Sequence, residues 1–186
     1  GRIPQNTPTT LYQQYKRQKN HKQNMAATIT KQVKASGGDV IFFTHESTST
    51  KTSMAFTVYM PPSSKNENEN KKCPILYYLS GLTCTNMNFI EKANAIAAAA
   101  EHGIVLICPD TSPRGGDDVP DAPEDMECKW DFGKGAGFYV NATQEPWSKN
   151  YNMYDYVVTE LPAVVTATME SLGLSGRIDM ARSAVF

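Results

Sequence analysis

The fold is decided by residues 74–108, which run PILYYLSGLTCTNMNFIEKANAIAAAAEHGIVLIC. Residues 74–79 form a short apolar run, which predicts a strand buried on both faces. Residues 88–101 predict a helix that ends at His102 and Gly103, and residues 104–108 predict a second buried strand. Because a strand, a helix and a strand with short connections form a βαβ unit, the two strands should be parallel. The apolar face of the helix should be formed by Phe89, Ala93, Ile96, Ala97 and Ala100.

The sequence on either side of this unit predicts further strands and one more helix. Residues 39–45 and 54–60 are β-like runs joined by a turn rich in Ser and Thr, which predicts a hairpin. Residues 154–169 have helical spacing, but Pro162 predicts a kink or a restart inside that helix. Residues 180–186 predict a third buried strand. Residues 109–152 form a long excursion with little regular structure, and long ordered loops are usually functional.

Composition excludes several classes of protein. The chain has 186 residues, 40% of them hydrophobic, and a net charge of -1, which suits one globular domain rather than a nucleic-acid binder. No apolar run approaches the roughly 18 residues that a membrane-spanning helix needs. The four cysteines form no CxxC pair and the three histidines lack metal-ligand spacing, so neither a metal nor a cofactor is expected. Free thiols and the lack of an export signal favour the cytoplasm.

The first 24 residues differ in composition from the rest of the chain. They are polar, basic and rich in Gln, and no acidic residue precedes Asp39. Met25, which follows them, resembles a native start. We interpret residues 1–24 as a disordered or non-native extension. A basic segment without acids is also compatible with an organelle transit peptide.

The turn after the first strand of the βαβ unit is one candidate site. Ser80, Gly81, Leu82 and Thr83 follow the carboxyl end of that strand, which is where open α/β sheets place their ligands. A glycine lets the backbone turn sharply there, so that an amide N–H can point into a cleft. Acyl-transfer enzymes need such donors for the developing oxyanion. An ordinary turn is the alternative interpretation.

The second candidate is the glycine-rich, aromatic loop WDFGKGAGFY at residues 130–139. Its G-x-G-x-G spacing lacks the third glycine of the dinucleotide fingerprint and does not follow a strand, which argues against a Rossmann site. Trp130 and Phe132 instead indicate an apolar wall against a bound group, with structural packing as the alternative. The chain contains no G-x-S-x-G nucleophile motif and no complete catalytic constellation.

The two candidate sites belong to a longer series of short motifs. They are LSGLTCT at 79–85, NFI at 88–90, PDTSPRG at 109–115, WDFG at 130–133, GAGFYV at 135–140, AT at 142–143, PW at 146–147, NY at 150–151, MY at 153–154 and ELP at 160–162. As a set, in this order and spacing, they resemble the S-formylglutathione hydrolase (esterase D) family of the α/β-hydrolase superfamily. The resemblance covers residues 26–186. It departs from the family at residues 117–129, an acidic stretch that is longer than expected.

The resemblance implies an α/β-hydrolase fold, truncated. An N-terminal antiparallel hairpin would be followed by βαβ parallel strands, and the chain would stop before the nucleophile elbow. Residues 25–186 would then be the N-terminal portion of a single α/β-hydrolase domain. The Ser, Asp and His of the family's triad would all lie beyond Phe186, so the 186-residue chain is predicted to be inactive by itself.

The resemblance also implies an activity and a set of site residues. The activity is that of a serine thioesterase, which cleaves S-formylglutathione to glutathione and formate in formaldehyde detoxification. The Leu82 amide would be one oxyanion donor, and Gly81, Cys84, Trp130 and Phe132 would contact the substrate. The expected partner is this small thioester, with no nucleic acid, membrane, metal or cofactor. A homodimer stays open.

Two other functions remain open at this point. One is a carboxylesterase of the same fold with a different acyl substrate. The other is a non-catalytic binding module that keeps a glutathione-like pocket without the chemistry. The transcript downstream of Phe186 separates them, because a G-x-S-x-G continuation supports an enzyme and an immediate stop supports the module.

Overall fold

The computed structural model describes residues 25–65, 72–127 and 129–186. The interpretation of residues 1–24 and the free thiol expected at Cys128 lie outside these residues. The described part is built on a six-stranded sheet in the order β1-β2-β3-β5-β4-β6. The strands are β1 (Thr28–Ala35), β2 (Gly38–Glu46), β3 (Ser53–Met60), β4 (Cys73–Tyr77), β5 (Val105–Pro109) and β6 (Ile178–Val185).

One half of the sheet is antiparallel. The predicted hairpin is confirmed, since β2 pairs antiparallel with β3 over its whole length, from Asp39 opposite Met60 to Glu46 opposite Ser53. Strand β1 was not predicted, and it pairs antiparallel with β2 at the edge of the sheet. Its residues are almost all exposed, so its sequence lacks the apolar alternation that marks a half-buried strand.

The other half of the sheet is parallel. Strand β4 pairs parallel with both β5 and β6, which confirms the βαβ unit and the third strand. Strand β5 is buried throughout, as predicted. Two burial predictions were wrong. Strand β4 alternates between buried and half-buried residues, and β6 is exposed beyond its first residues because it is an edge strand with one neighbour.

The helix predicted for residues 88–101 is broken in two. It consists of α1 (Asn88–Lys92) and α2 (Ala95–His102), and Asn94 between them has a left-handed φ of 52°. Gly103 ends α2 with a φ of 65° and donates its N–H to the Ala99 carbonyl, as a helix C-cap does. The break rotates the apolar face, so Ala99 is buried whereas Ala93 and Ala97 are exposed.

The restart predicted at Pro162 is confirmed. One turn of helix, α3 (Met153–Asp155), is followed by a π-helical stretch (Tyr156–Glu160) and then by α4 (Leu161–Ser171). Proline has no amide hydrogen to donate to the preceding turn, which explains why the regular hydrogen-bond ladder is interrupted just before it. The wider π turn brings Glu160 to the start of α4, where it is buried.

Each face of the sheet carries its own core. Helix α4 covers one face, and the buried residues there include Phe43, Phe56 and Val58 of the hairpin and Leu161 and Val165 of the helix. The rings of Phe43 and Phe56 stack with centroids 5.0 Å apart. Helices α1 and α2 cover the other face, over a smaller cluster that includes Tyr59 and Leu106. Burying one such side chain contributes about 1.5–3 kcal/mol to the free energy of folding. The two cores therefore hold the strand ends in place.

The predicted excursion at 109–152 begins at the last residue of β5, and its described residues hold one 3-10 turn (Trp147–Lys149) and one isolated bridge between Asn141 and Asn152. In the described ranges, no helix combines the length and the apolar character that crossing a bilayer requires.

Candidate functional site

The candidate site lies where parallel strands end. Beyond β4, the Tyr78 amide donates to the Ile107 carbonyl at 2.9 Å, and the Leu79 amide donates to the Phe186 carbonyl at 2.9 Å. The chain therefore leaves the sheet between β5 and β6, at its carboxyl edge. Open α/β sheets place their ligands at such an edge. The two segments singled out in the sequence meet here.

The turn at residues 81–84, called the Leu82 turn below, is held at both ends. The Cys84 amide donates to the Gly81 carbonyl at 3.2 Å, and the Thr83 amide donates to the Gly135 carbonyl at 2.9 Å. Among the described residues, the Leu82 amide has no hydrogen-bond acceptor. A donor that is held in place without an acceptor is what an oxyanion site requires. The role of the Leu82 amide as an oxyanion donor stays a prediction.

Glycine plays a different part in this turn from the one expected. The residue with the left-handed backbone is Thr83, with a φ of 64°. An added Cβ at Gly81 would meet nothing within 4 Å. The sharp bend is therefore formed by Thr83. Its left-handed conformation costs about 1–3 kcal/mol and persists because the surrounding residues hold it. Such strain clusters at functional sites.

A cavity of about 270 Å³ lies against this turn. It is lined by Leu79, Ser80, Gly81, Leu82, Thr111, Gly135, Gly137, Phe138 and Tyr139. Burial, and secondarily the carboxylate of Asp110, raise the pKa of Tyr139, so its hydroxyl stays protonated and donates to the Ser80 carbonyl at 2.7 Å. In the described part of the chain the buried Ser80 hydroxyl itself has no partner.

A network of side chains from the loop after β5 supports the Leu82 turn. Asp110, only 7% exposed, accepts hydrogen bonds from the Thr111 amide at 2.7 Å and from Arg114 Nε at 2.8 Å. Arg114 Nη2 reaches the Cys84 carbonyl at 2.6 Å, and the Thr111 hydroxyl donates to the same carbonyl at 2.5 Å. Arg114 was not predicted as a site residue. The available signal was an acid and an arginine four residues apart directly after a buried strand.

The same loop also holds the glycine-rich segment. The hydroxyl of Ser112, which is fully buried, accepts from the Gly135 amide at 2.7 Å, and the Gly135 carbonyl in turn accepts from Thr83. Gly137 lies so close to its neighbours that an added Cβ would come within 2.5 Å of the Thr111 carbonyl oxygen. Here glycine is required by close approach, so this part of the loop packs directly on the backbone of Thr111 and Ser112.

The aromatic wall lines a separate cavity. Phe132 and Trp147 make an edge-to-face contact with ring centroids 5.1 Å apart, in an apolar cavity of about 200 Å³. This cavity shares Gly137 and Phe138 with the cavity beside Leu82. Trp130 is 63% exposed and lines neither of these two cavities. The substrate-binding roles of Phe132 and Trp130 stay predictions.

Three described cysteines are free thiols, as expected. Cys73 and Cys108 are buried, and burial raises the pKa of Cys108 to about 12. Cys84 is half-buried at the end of the Leu82 turn, and it is not among the residues that line the cavity beside Leu82. Its contact with a substrate stays a prediction. Across residues 25–65, 72–127 and 129–186, no group of His, Cys, Asp and Glu side chains could hold a metal ion.

A larger cavity, of about 340 Å³, lies at the antiparallel half of the sheet, lined in part by His45, Glu46 and Glu160. The carboxylate of Glu160 is already occupied there. It accepts from the Ser47 hydroxyl at 2.9 Å and from the amides of Thr48 at 2.6 Å and Ser49 at 2.8 Å. The Glu160 carboxylate therefore holds a turn in place.

Known proteins match this chain along most of its length. The Esterase family model, described as "Putative esterase", matches residues 47–178. S-formylglutathione hydrolases of Bos taurus and Saccharomyces cerevisiae are 51% and 45% identical over 141 and 147 residues, which is 76% and 78% of this chain. They are covered over 47% and 48% of their own length, so the chain spans about half of these curated relatives.

A solved structure matches as well. The S-formylglutathione hydrolase from Agrobacterium tumefaciens superposes with a TM-score of 0.72 at 46% identity, over 86% of this chain and 52% of that chain. The predicted α/β-hydrolase fold is thereby confirmed, for the part that is present. The chain belongs to the Esterase family.

Proposed function

We propose that this member of the Esterase family is part of a serine thioesterase that hydrolyses S-formylglutathione to glutathione and formate. The observation that carries the proposal is the Leu82 turn, whose amide lies beside a cavity without an acceptor among the described residues. The names of the relatives at 45–51% identity support the substrate. The free thiols and the glutathione substrate favour the cytoplasm. The oligomeric state, including a homodimer, stays a prediction.

The chemistry divides between this chain and the residues proposed to follow Phe186. A serine hydroxyl there attacks the thioester carbonyl and gives its proton to a histidine that an acid orients. The carbonyl oxygen becomes an oxyanion, which the Leu82 amide stabilises as one of two donors. Collapse of the intermediate breaks the C–S bond, and the glutathione sulfur leaves with the proton from the histidine. Water then releases formate by the same steps.

A second candidate rests on the apolar cavity beside Phe132. That cavity is about 200 Å³ in volume and shares the lining residues Gly137 and Phe138 with the cavity beside Leu82. A formyl group does not need such a volume, whereas a larger apolar acyl group would fill it. This feature favours a carboxylesterase of the same fold. The non-catalytic binding module becomes the preferred function if no nucleophile exists.

The experiment is to read the transcript past the codon for Phe186 and to express its full product. A G-x-S-x-G continuation, hydrolysis of S-formylglutathione and labelling by a fluorophosphonate are the expected results. The 186-residue chain is the matched control, and neither turnover nor labelling is expected from it. Turnover of acyl esters but not of the thioester would favour the carboxylesterase. A stop codon directly after Phe186, or labelling of the 186-residue chain, would contradict the proposal.

A further inference from the structure

The Leu82 turn is fastened to the rest of the molecule by its two flanks. On one side the Thr83 amide donates to the Gly135 carbonyl, and the Gly135 amide donates to the Ser112 hydroxyl. On the other side the Cys84 carbonyl accepts from Arg114 and from Thr111. The amide of Leu82 lies between these two attachments. Its position therefore depends on contacts that other residues make.

Arg114 is the residue that ties the second flank to the sheet. Its Nε donates to Asp110 at 2.8 Å, while its Nη2 donates to the Cys84 carbonyl at 2.6 Å and to the Thr111 hydroxyl at 3.3 Å. A planar guanidinium can make these bonds at once because its donors are fixed in a fork. A lysine has the charge but not the fork. Asp110 directly follows the buried strand β5. The guanidinium of Arg114 therefore fixes the position of the Leu82 turn relative to that strand.

The location of Arg114 argues against a role in general stability. Its side chain is 33% exposed, and it belongs to neither core cluster. Its partner Asp110 is buried, but that carboxylate also accepts from the amides of Thr111 and Ser112, which would remain without Arg114. The strained Thr83, in contrast, adopts its left-handed backbone only because neighbours hold it there. Losing the contact to Cys84 should therefore loosen this turn more than the domain.

We propose that Arg114 is a positioning residue, which acts through the Cys84 carbonyl to hold the Leu82 amide where an oxyanion would form. Arg114 does not itself touch the reacting atoms. The consequence for catalysis rests on the proposed function. The positioning of the turn does not, because it can be measured without any reaction.

The first test measures amide hydrogen exchange in the 186-residue chain. In Arg114→Ala, the amides of Thr83 and Cys84 should exchange about tenfold faster, while those of Val105 and Ile107 in β5 stay unchanged, because only local opening is affected. Arg114→Lys should resemble Arg114→Ala, since the ammonium cannot span both partners. Added guanidinium ion, below denaturing concentrations, should restore protection in Arg114→Ala and not in the unsubstituted chain.

The matched control is Arg182→Ala. Arg182 makes the same pair of contacts elsewhere, to the Asp179 carboxylate at 2.7 Å and to the Lys72 carbonyl at 2.7 Å, so it controls for loss of an arginine bound to an acid and a carbonyl. It should leave the exchange of Thr83 and Cys84 unchanged. If Arg114→Ala opens β5 as well, Thr111→Val removes the other donor to Cys84, and it should then speed exchange of the turn alone. Unchanged exchange of Thr83 and Cys84 in both variants would overturn the proposal.

The second test uses the full product defined under the proposed function. Arg114→Ala should lower kcat by about 10- to 100-fold, which is below or near the loss of one oxyanion donor, with KM within about twofold. Guanidinium ion should recover part of kcat, and Arg182→Ala should have no effect. A rise in KM at constant kcat would overturn the proposal. If the full product has no hydrolase activity, the proposed function fails while the exchange data still decide the positioning role.

Discussion

Two turns of this molecule are each held by a buried or half-buried charged side chain, yet they differ in what they leave free. Residues 47–50, called the hairpin turn, belong to the connection between β2 and β3. Glu160 accepts three hydrogen bonds from them. The Leu82 turn is bound by Arg114 through one carbonyl. Glu160 is 7% exposed beside the larger core, whereas Arg114 is 33% exposed in a loop.

The difference teaches how to separate a structural charge from a functional one. The hairpin turn is also held by Asn150 and Asn152, which donate to the carbonyls of Thr50 and Ser49. Glu160, Asn150 and Asn152 all bind the hairpin turn from the side that faces the core. The Leu82 turn is held at its flanks and leaves one amide without an acceptor among the described residues. Burial of a charge alone would have pointed to Glu160, whose carboxylate is occupied by the hairpin turn.

The largest effect should follow from removing the anchor of the hairpin turn. Glu160→Ala leaves the buried Ser47 hydroxyl and the amides of Thr48 and Ser49 without their acceptor, so the free energy of unfolding should fall by about 3 kcal/mol. Urea unfolding followed by circular dichroism measures this change. Glu101→Ala, at an exposed helix position, is the control and should change stability by less than about 0.5 kcal/mol. Equal midpoints for the two variants would show that Glu160 is not a structural anchor.

The next prediction compares the stability of alanine substitutions at two glycines of the candidate site. In Gly137→Ala the new Cβ would lie 2.5 Å from the Thr111 carbonyl oxygen and 2.8 Å from Met153 Cγ. Such overpacking should cost about 2 kcal/mol of unfolding free energy. Gly81→Ala meets nothing within 4 Å and should be neutral. Thermal melts of both variants measure the contrast, and a destabilised Gly81→Ala would mean that the Leu82 turn is tighter than described.

A smaller effect is expected in the pH dependence of stability, through two groups in the antiparallel half of the sheet. Burial lowers the pKa of His45 from its ordinary value of 6.5, partly opposed by Glu160. Burial alone would raise the pKa of Glu160, but hydrogen bonds from Ser49, Thr48 and Ser47 outweigh it and hold the pKa below 4.5. Both groups therefore bind fewer protons in the folded state than in the unfolded state.

The direction in which stability changes with pH follows from these two pKa shifts. Stability should first decline as the pH falls below 6.5, where an unfolded His45 takes up a proton that the folded one resists. It should decline again as the pH falls below 4.5 and through the lowered pKa of Glu160. His45→Gln should abolish the first decline and keep the second. A first decline that persists in His45→Gln would assign it to another group.

The smallest expected effect is a difference in reactivity between thiols, without a change in stability. In a Cys128→Ser background, iodoacetamide at about pH 8 should modify Cys84, which is half-buried on the Leu82 turn. Cys73 and Cys108 should stay unmodified, because both are buried and the pKa of Cys108 is raised to about 12. Mass spectrometry of peptides gives the occupancy of each thiol. Equal labelling of all three would mean that the buried cores are open in solution.

Much of the fold could be predicted from local patterns. The apolar runs at 74–79 and 104–108 and the alternation at 54–60 correspond to β4, β5 and β3, and Pro162 marks the restart of a helix. Strand β1 escaped prediction because it is exposed on both faces, so its pairing with β2 rather than its composition makes it a strand. The break at Asn94 escaped as well, since the alanines around it favour a continuous helix.

The sequence by itself determined most of the elements, their order and the segments that form the candidate site, because side-chain periodicity and proline or glycine act within a few residues. Only the tertiary structure decided which amide is free, which residue bears the backbone strain and which arginine holds the turn. Thr83 and Gly135, or Arg114 and Cys84, are brought together by the ends of β4 and β5. Contacts across such distances in the chain depend on packing, and no local pattern encodes them.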